Sequence, residues 1–449
     1  MPHVMCILGT RPEIIKMAPV LHALSKKRNV KITLVHSGQH YDRDMSESFF
    51  ETLDLPEPDI DLKVGSGTYS QQTASMLTGY KRVISGLKPD TILAEGDTNT
   101  VAAAGLASMK LHASFGHVEA GLRSFDLAMP EEVNRMIADD CAKMCFAPTR
   151  ISAANLTRET IMRYRIFITG NTIVEACRKN VTIARRRSKI LTEIMKDEEH
   201  PLVLTTVHRQ ENADDPRRLR RILRALATLA EFRIVYPIHP RTRMRLRESG
   251  LHRTLDKSSH VIQTDPLGYW DFLRLLDASS MVLTDSGGVQ EEALTLGVPC
   301  LTLRYNTERP ETVKAGSNVL VGTEVQMIVR QARRLAESRP HFRKKRNPLG
   351  DGKAGQRIAD ICSKRKTSPF RCPAYLKDAS AGCHLLVVKR DRDVGWLRTR
   401  CPSIVIEAVY DSEGALIHPH ATLTLRNGWH IQIFGPPADL VTYPAYLAG

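Results

Sequence analysis

The stretch Val4-Met5-Cys6-Ile7-Leu8-Gly9-Thr10-Arg11-Pro12-Glu13 decides the class of fold. Five apolar residues run into a glycine, and a proline follows three residues later, which predicts a buried strand at 4–8 that turns into a helix at 12–26. Such alternation of strands with helices indicates a parallel sheet that carries helices on both faces. It continues, we predict, with strands at 31–36, 91–95 and 114–118 and helices at 71–84 and 100–109.

The same pattern restarts in the second half of the chain. We predict strands at 202–206, 233–237, 281–284 and 300–303 and helices at 217–229, 270–275 and 290–296. Two α/β units of this size predict two doubly wound Rossmann-like domains that face a cleft. The first domain is expected at 1–170 and the second at 171–362, with a hinge near Gly170-Asn171 and a last helix that packs back on the first domain.

The chain changes character after residue 362. A basic linker at 363–372 precedes a small accessory module at 373–449, which we expect to be β-rich α+β. Turn signals such as Asn427-Gly428 separate its short apolar runs. These runs predict strands at 385–389, 404–409, 422–425 and 431–434.

Composition excludes several classes of function. The chain has 449 residues and a net charge of +15, but its basic runs carry no interleaved aromatic residues, so we expect no specific nucleic-acid binding. We find no apolar run of about 18 residues, and hence expect no membrane span. Nine cysteines form no CxxC pair, which indicates a reducing, cytoplasmic setting rather than a disulfide framework or a metal site.

Three acidic residues follow strands or open a helix on the first predicted domain. Asp97 follows the strand at 91–95, Glu119 follows the strand at 114–118, and Glu131 comes directly after Pro130. Carboxylates at the carboxyl ends of parallel strands point into the ligand crevice, and paired carboxylates suit the removal and return of a proton. Capping of the helix near Thr100 remains the alternative for Asp97, and complementation of the helix dipole remains the alternative for Glu131.

Cations and glycines mark an anion site at the same sheet edges. In 284–292, a strand ends in small residues and a helix begins, so backbone amides can approach a phosphate, and Glu292 lies one turn inside for ribose hydroxyls. His208 and His239 follow two neighbouring strands of the second domain. The further candidates at this mouth are Arg11, Ser286, Gly287, Gly288 and Arg309.

Taken together, these motifs resemble the non-hydrolysing UDP-N-acetylglucosamine 2-epimerases over about residues 1–362, and most of all their archaeal branch. The matching segments, in chain order, are 9–16, 38–40, 96–98, 117–123, 130–135, 170–172, 285–292, 308–311 and 347–352.

The resemblance implies a two-domain fold like that of the GT-B glycosyltransferases and reversible inversion at C2, which gives UDP-N-acetylmannosamine. A base removes the C2 proton while UDP leaves by anti elimination. The 2-acetamidoglucal intermediate is then reprotonated on its other face, without cofactor or metal. The acid–base set would be Asp97, Glu119 and Glu131. The residues that would hold UDP are Arg11, Lys16, His208, Ser286, Gly287, Gly288, Glu292 and Arg309.

The resemblance also implies a homodimer and a second UDP-sugar bound as an activator. Gln39, Arg209 and His239 match the activator site, whereas Asp42 and the stretch 65–68 depart from it. The tail resembles the C-terminal ligand-sensing domain of potassium-uptake regulators, whose modules dimerise and bind small ligands. A structural or dimerising appendage is the alternative.

Other functions remain open at this point. The motifs also fit a 2-epimerase of UDP-2,3-diacetamido-uronic acids, although Glu308-Arg309-Pro310-Glu311 favours the N-acetylglucosamine enzyme. A glycosyltransferase shares the fold but leaves the three acidic motifs without a task. A sugar-nucleotide-binding regulatory protein would not need all three carboxylates.

Overall fold

The computed structural model describes residues 1–39, 49–65, 67–195, 200–338, 347–364, 382–388, 391–395, 397, 405–412, 415–417 and 423–435. The chain divides into two compact units, Met1–Lys366 and Thr367–Gly449. In the described part of the first unit, two parallel sheets each form the centre of one lobe.

The first lobe is built on a seven-stranded parallel sheet in the order β3-β2-β1-β4-β5-β6-β7. Its central strands are buried along their full length because helices cover both faces, which explains their unbroken apolar runs. The strands are β1 (His3–Leu8), β2 (Lys31–His36), β3 (Ile60–Asp61), β4 (Thr91–Glu95), β5 (Ser114–Val118), β6 (Met144–Ala147) and β7 (Ile166–Ile168).

The second lobe is built on a six-stranded parallel sheet in the order β10-β9-β8-β11-β12-β13. The strands are β8 (Leu202–Thr206), β9 (Arg233–Pro237), β10 (Val261–Thr264), β11 (Met281–Thr284), β12 (Cys300–Thr302) and β13 (Asn318–Leu320). The predicted fold class, two doubly wound α/β units, is confirmed by these two sheets. Strands β3, β6, β7, β10 and β13 were not predicted.

Helices connect successive strands, and the predicted ones occur within three residues of the expected bounds. The helices are α1 (Arg11–Ser25), α2 (Tyr69–Leu87), α3 (Asn99–Lys110), α4 (Pro130–Cys141), α5 (Arg150–Arg158), α6 (Thr172–Arg187), α7 (Ile190–Ile194), α8 (Gln210–Ala213), α9 (Pro216–Thr228), α10 (Pro240–Glu248), α11 (His252–Asp256), α12 (Tyr269–Ala278), α13 (Gly287–Leu296), α14 (Pro310–Lys314), α15 (Val325–Ser338) and α16 (Ala354–Lys364).

Helix α16 follows the second sheet in the chain but packs on the first lobe, against α1. Its residues Ile358, Ala359 and Cys362 belong to the same buried apolar core as the inner face of α1. The two helices approach closely at Gly355, where an added Cβ would lie 2.5 Å from the backbone oxygen of Pro19. Only glycine fits this crossing without displacing the backbone of α1.

The second unit is antiparallel where it is described. One sheet has the order β14-β19-β16-β17, and β15 pairs with β18. All four predicted tail segments overlap its strands, whereas the predicted linker lies outside the described residues from 365 on. The strands are β14 (Gly382–Val387), β15 (Arg392–Asp393), β16 (Val405–Tyr410), β17 (Leu416–Ile417), β18 (Thr424–Leu425) and β19 (His430–Gly435).

None of the described helices is long and apolar enough to span a bilayer. Six cysteines in the described ranges are buried free thiols.

Candidate active site

The carboxyl ends of β4 and β5 carry two of the predicted carboxylates. Gly96 leaves β4 with a φ of +91° and is followed by Asp97, while Glu119 follows β5 with a φ of +72°. A left-handed backbone costs a residue with a Cβ about 1–3 kcal/mol, and such strain gathers at functional sites. Since β4 and β5 are paired neighbours, both carboxylates lie at the same edge of the first sheet.

Lys16, on the buried face of α1, lies at the centre of a cluster of three carboxylates. Its Nζ hydrogen-bonds to Glu119 Oε2 and lies 3.4 Å from both Glu95 Oε1 and Glu291 Oε2. Burial opposes the charge of this ammonium, but the three carboxylates outweigh that effect and raise its pKa. Lys16 is thus a fixed cation that joins α1 of the first lobe to α13 of the second.

Arg309 brings a second buried cation to the same carboxylates from the second lobe. Its Nη2 donates to Glu119 Oε1 at 2.8 Å, its Nε pairs with Glu291, and its Nη1 lies 3.8 Å from Glu308 Oε1. Asn171, which caps α6, donates its side-chain amide to Glu291 at 2.7 Å and to Glu119 at 3.4 Å. The predicted hinge residue therefore contacts the site directly.

The acidic members of this cluster differ in the direction in which their pKa values are shifted. Burial acts against ionisation of Glu119, yet Lys16 and Arg309 hold its pKa at about 2. Burial prevails at Glu95 and raises its pKa well above the ordinary range, and it raises the pKa of Glu291 as well. Environments that separate the pKa values of neighbouring carboxyls are typical of acid–base sites.

Asp97 and Glu131 each pair with an arginine and remain partly open to solvent. Arg135 Nη2 donates to Asp97 Oδ2 at 2.5 Å, and Arg209 Nη1, from the second lobe, donates to Glu131 Oε1 at 2.7 Å. The side chains of Asp97 and Glu131 are 24% and 36% exposed, whereas that of Glu119 is 5% exposed. A molecule in the cleft can therefore reach Asp97 and Glu131, whereas Glu119 is covered by its neighbours.

Glu308 holds the arginines in place. Its buried carboxylate accepts from Arg304 Nη1 at 2.8 Å and lies 3.5 Å from Arg209 and 3.8 Å from both Arg135 and Arg309. Burial disfavours its charge, but the guanidinium groups lower its pKa well below the usual range. The Glu308 carboxylate thus lies beside both Arg135, which binds Asp97, and Arg209, which binds Glu131.

The turn after β11 carries the residues of the predicted anion site. Helix α13 begins at Gly287, and its N-cap Ser286 makes no side-chain capping hydrogen bond. A Cβ on Gly287 would lie 2.5 Å from Glu308 Oε1 and 3.6 Å from Arg309 Cζ, whereas Gly288 has no neighbour within 4 Å. The N-terminus of α13 therefore opens beside the cation cluster, where its amides favour an anion.

Asp285 fixes the loop that carries His208. Its buried carboxylate accepts the backbone N–H groups of His208 at 3.1 Å and of Arg209 at 3.0 Å, and the side-chain amide of Asn212 at 3.1 Å. The His208 ring lies 5.9 Å from that of His239, measured between centroids. The two predicted histidines are therefore neighbours at the mouth of the second lobe.

The other predicted residues surround this centre. Arg11 lies 5.5 Å over the Phe49 ring, and Gln39 Oε1 accepts from Thr100 Oγ1 at 2.8 Å. Glu292 is buried, and burial raises its pKa to about 7. His40, Asp42 and Ser66, which entered the comparison with the family motifs, lie outside the described residues. In the described part of the chain, no group of three His, Cys, Asp or Glu side chains could hold a metal ion.

Sequence reasoning missed several residues of the site. A signal was present for Glu95 and Glu308, which adjoin or nearly adjoin predicted residues. No local signal marks the contacts made across the lobes. The missed residues are Glu95, Arg135, Asn171, Asp285, Glu291, Arg304 and Glu308.

Several known proteins are similar to this chain in sequence and in fold. A UDP-N-acetylglucosamine 2-epimerase of Methanocaldococcus jannaschii is 44% identical over 361 residues, which are 79% of this chain and 97% of that protein. A crystal structure from the same organism, of a UDP-GlcNAc 2-epimerase in complex with UDP-GlcNAc and UDP, is 43% identical and has a TM-score of 0.75, covering 80% of this chain and 99% of that one. A UDP-2,3-diacetamido-2,3-dideoxy-D-glucuronate 2-epimerase of Pseudomonas aeruginosa is 39% identical over 365 residues, 80% of this chain and 99% of that protein.

The sequence pattern of one family matches residues 22–363, which is most of the chain. That segment contains the loops of Asp97 and Glu119, Arg309 and the N-terminus of α13. Lys16 lies shortly before it. The chain belongs to the UDP-N-acetylglucosamine 2-epimerase family.

Proposed function

We propose that this protein interconverts UDP-N-acetylglucosamine and UDP-N-acetylmannosamine by inversion at C2. One observation carries the proposal: Glu119 and Glu131 of the first lobe meet Arg309 and Arg209 of the second, beside the open N-terminus of α13. This arrangement places proton-transfer groups next to a site for a diphosphate. The 44% identical relatives that are named UDP-N-acetylglucosamine 2-epimerases support the same substrate.

The second lobe would hold the leaving group. Backbone amides of Ser286, Gly287 and Gly288 face the diphosphate in this proposal, and Arg309 supplies positive charge where the C1–O bond breaks. The other residues assigned to UDP are Arg11, Lys16, His208 and Glu292. Since Arg309 also contacts Glu119, loss of UDP and proton transfer share one cation.

The first lobe would move the protons. One carboxylate takes the proton from C2, the electron pair of that C–H bond becomes the C1=C2 bond of 2-acetamidoglucal, and the C1–O pair leaves with UDP. Return of a proton to the opposite face of C2 and attack of UDP on C1 complete the inversion. We assign this acid–base work to Asp97, Glu119 and Glu131, of which Asp97 and Glu131 are open to the cleft.

Proton NMR of UDP-N-acetylglucosamine with the enzyme in deuterated water tests the proposal. The expected product carries deuterium at C2, and Asp97→Asn and Glu119→Gln each lower kcat by about 10²-fold or more, as loss of acid–base catalysis does. Asp277→Asn is the matched control, because that carboxylate pairs with exposed Arg185 away from the cleft. Full conversion without deuterium at C2 would overturn the mechanism.

A UDP-2,3-diacetamido-uronic acid is the second candidate substrate, because a relative named for that activity is 39% identical. Incubating the enzyme with each UDP-sugar separates the two. A purely regulatory sugar-nucleotide-binding protein would bind UDP yet exchange no C2 proton with either one.

We also propose a homodimer, a second UDP-sugar as activator, and a cytoplasmic location. Gln39, Arg209 and His239 are the activator residues in this proposal, and the buried free thiols suit a reducing compartment. A lag in the reaction from UDP-N-acetylmannosamine that added UDP-N-acetylglucosamine abolishes would support activation. Sedimentation velocity measures the oligomer.

For the second unit we propose a ligand-binding or dimerising role like that of the potassium-uptake regulator modules. The basis is its separate apolar core, which includes Val388, Val409, Ile431 and Ile433. A chain that stops at Lys366 tests this role, since its sedimentation and activation should then differ from those of the full chain.

A further inference from the structure

A buried histidine lies directly beneath the two carboxylate loops. His117, on β5, is 0% exposed, and both of its ring nitrogens have partners. Nδ1 lies 2.7 Å from Asp139 Oδ1, and Nε2 lies 2.8 Å from the backbone oxygen of Gly96. A carboxylate and a carbonyl only accept hydrogen bonds, so each ring nitrogen must donate one, which only the doubly protonated imidazolium does.

Asp139, on α4, is an ionised acceptor in this arrangement. Its Oδ2 accepts from Arg123 Nη2 at 2.7 Å and from the backbone N–H of Gly121 at 3.1 Å. Burial works against its charge, but His117 and Arg123 hold the pKa of Asp139 below its usual range. Because Arg123 and the Gly121 N–H can only donate, they favour the ionised form of Asp139, which then accepts from His117 at Oδ1.

With Glu159 included, the charges of this network balance. Arg123 also donates to both oxygens of Glu159, at 2.8 Å and 2.5 Å, so two cations face two anions. On β6, Cys145 stays a neutral thiol because burial raises its pKa. At the end of α4, burial raises the pKa of Asp140, and Arg165 donates to the Asp140 backbone oxygen at 2.8 Å.

The stacked ring of Phe115 adds no charge. Buried ions are tolerated where each is paired and hydrogen-bonded in this way.

The network ties together the loops that carry the candidate acid–base residues. Gly96, whose carbonyl His117 holds, directly precedes Asp97, and Gly121, which Asp139 holds, follows two residues after Glu119. Gly96, Glu119 and Gly121 all have positive φ angles. Such conformations persist only where the surroundings over-determine them, and here one imidazolium–carboxylate pair acts on both loops.

We propose that His117 is a positioning residue held as an imidazolium, which with Asp139 and Arg123 keeps the Asp97 and Glu119 loops in register for proton transfer. The kinetic part of this proposal rests on the proposed function. The protonation part does not, because it concerns the free protein alone.

Nitrogen-15 NMR of the histidine-labelled full chain tests the protonation directly. The chain has 16 histidines, and the signal that disappears in His117→Gln identifies His117. At about pH 7 we expect both of its ring nitrogens to carry protons, because each faces a hydrogen-bond acceptor. A single protonated nitrogen would overturn the proposal.

Kinetics with UDP-N-acetylglucosamine test the positioning role. A misplacement of about 1 Å can cost 10²-fold, so we expect kcat of His117→Gln and of Asp139→Asn to fall by about 10-fold to 10²-fold with KM within about threefold. His260→Gln is the matched control, because that ring also bonds a backbone oxygen, of Leu226 at 3.0 Å, but lies in the second lobe.

The outcomes separate cleanly. A folded His117→Gln variant with wild-type kcat refutes the positioning role. If that variant does not fold, Asp139→Asn, which keeps the side-chain shape, gives the kinetic answer, and NMR of the wild type gives the protonation answer. If the wild type fails to epimerise, the proposed function is wrong, and NMR still decides the state of His117.

Discussion

Replacing Arg309 by methionine should destabilise the protein strongly, and more so at high pH. The Arg309 side chain is buried and is the second-lobe cation for Glu119, Glu291 and Glu308. Methionine fills a similar volume but leaves those carboxylates short of one charge. Breaking a buried ion pair on one side costs about 3–5 kcal/mol, which we expect as the loss in the free energy of unfolding at pH 8.

The pH dependence follows from the sign of each pKa shift. With Arg309 present, the folded pKa of Glu119 is about 2, below an unfolded value of about 4.3, so its ionisation stabilises the fold at neutral pH and this contribution is lost only in acid. Without Arg309, Lys16 is the one cation of the described residues left to oppose burial at Glu119 and Glu291, so the folded pKa values of both carboxyls rise. These carboxyls then take up protons as the pH falls, so the deficit of Arg309→Met should be smaller at pH 5 than at pH 8.

Urea unfolding of the wild type and the variant at both pH values measures the two effects. Arg333→Met is the matched control: it removes a guanidinium that is 2.6 Å from Glu231 in a pair whose side chains are 52% and 41% exposed, and such surface pairs contribute little to the free energy of unfolding. Equal small losses in the two variants, or a deficit for Arg309→Met that does not change with pH, would refute the view that the buried cation holds these carboxylates ionised.

Three further predictions concern the nucleotide side and the second unit. Gly287→Ala places a Cβ 2.5 Å from Glu308, so it should cost about 1–3 kcal/mol of stability and weaken UDP binding measured by calorimetry. Gly288→Ala, which has open space around its Cβ, should keep wild-type stability. Glu292 has a folded pKa of about 7 because of burial, so the free energy of unfolding of the wild type falls as the pH rises toward 7. In urea unfolding, the stability of Glu292→Gln relative to the wild type should increase between pH 5 and pH 8, while the variant binds UDP less tightly. Stability curves that stay parallel across this range would contradict the prediction. A chain ending at Lys366 should fold and epimerise, since Met1–Lys366 is a compact unit; an insoluble product without C2 exchange would speak against that independence.

The central strands could be predicted because most of them carry a short apolar run, as at 4–8, 92–94 and 281–283. Six predicted strands, at 31–36, 91–95, 114–118, 202–206, 233–237 and 281–284, agree with the structure at both ends. The edge strands β3 and β13, of two and three residues, carry too little periodicity to distinguish them from loops. These strands form because their backbones pair with a neighbouring strand, and their local sequence pattern does not specify them.

The site divides in the same way. Asp97 and Glu119 were predictable because a strand end determines where the next side chains point. Glu291 was not, because Glu292 beside it is the same residue type, and the phase of α13 decides which one meets Arg309. His117 and Asp139 are 22 residues apart on different elements, so their pairing follows from the packing of α4 on the sheet and leaves no mark in the sequence.

The packing of α16 on α1 has a consequence for biosynthesis. The inner face of α1 is complete only when Ile358, Ala359 and Cys362 cover it. Between the end of α1 and the start of α16 lie 328 residues (353 − 25). At a synthesis rate of about 5–20 residues per second, the ribosome needs roughly 15–65 seconds to supply them. During that interval α1 of the nascent first lobe exposes an apolar surface that chaperones can bind. The first part of the chain to be synthesised is therefore among the last to have its apolar surface buried.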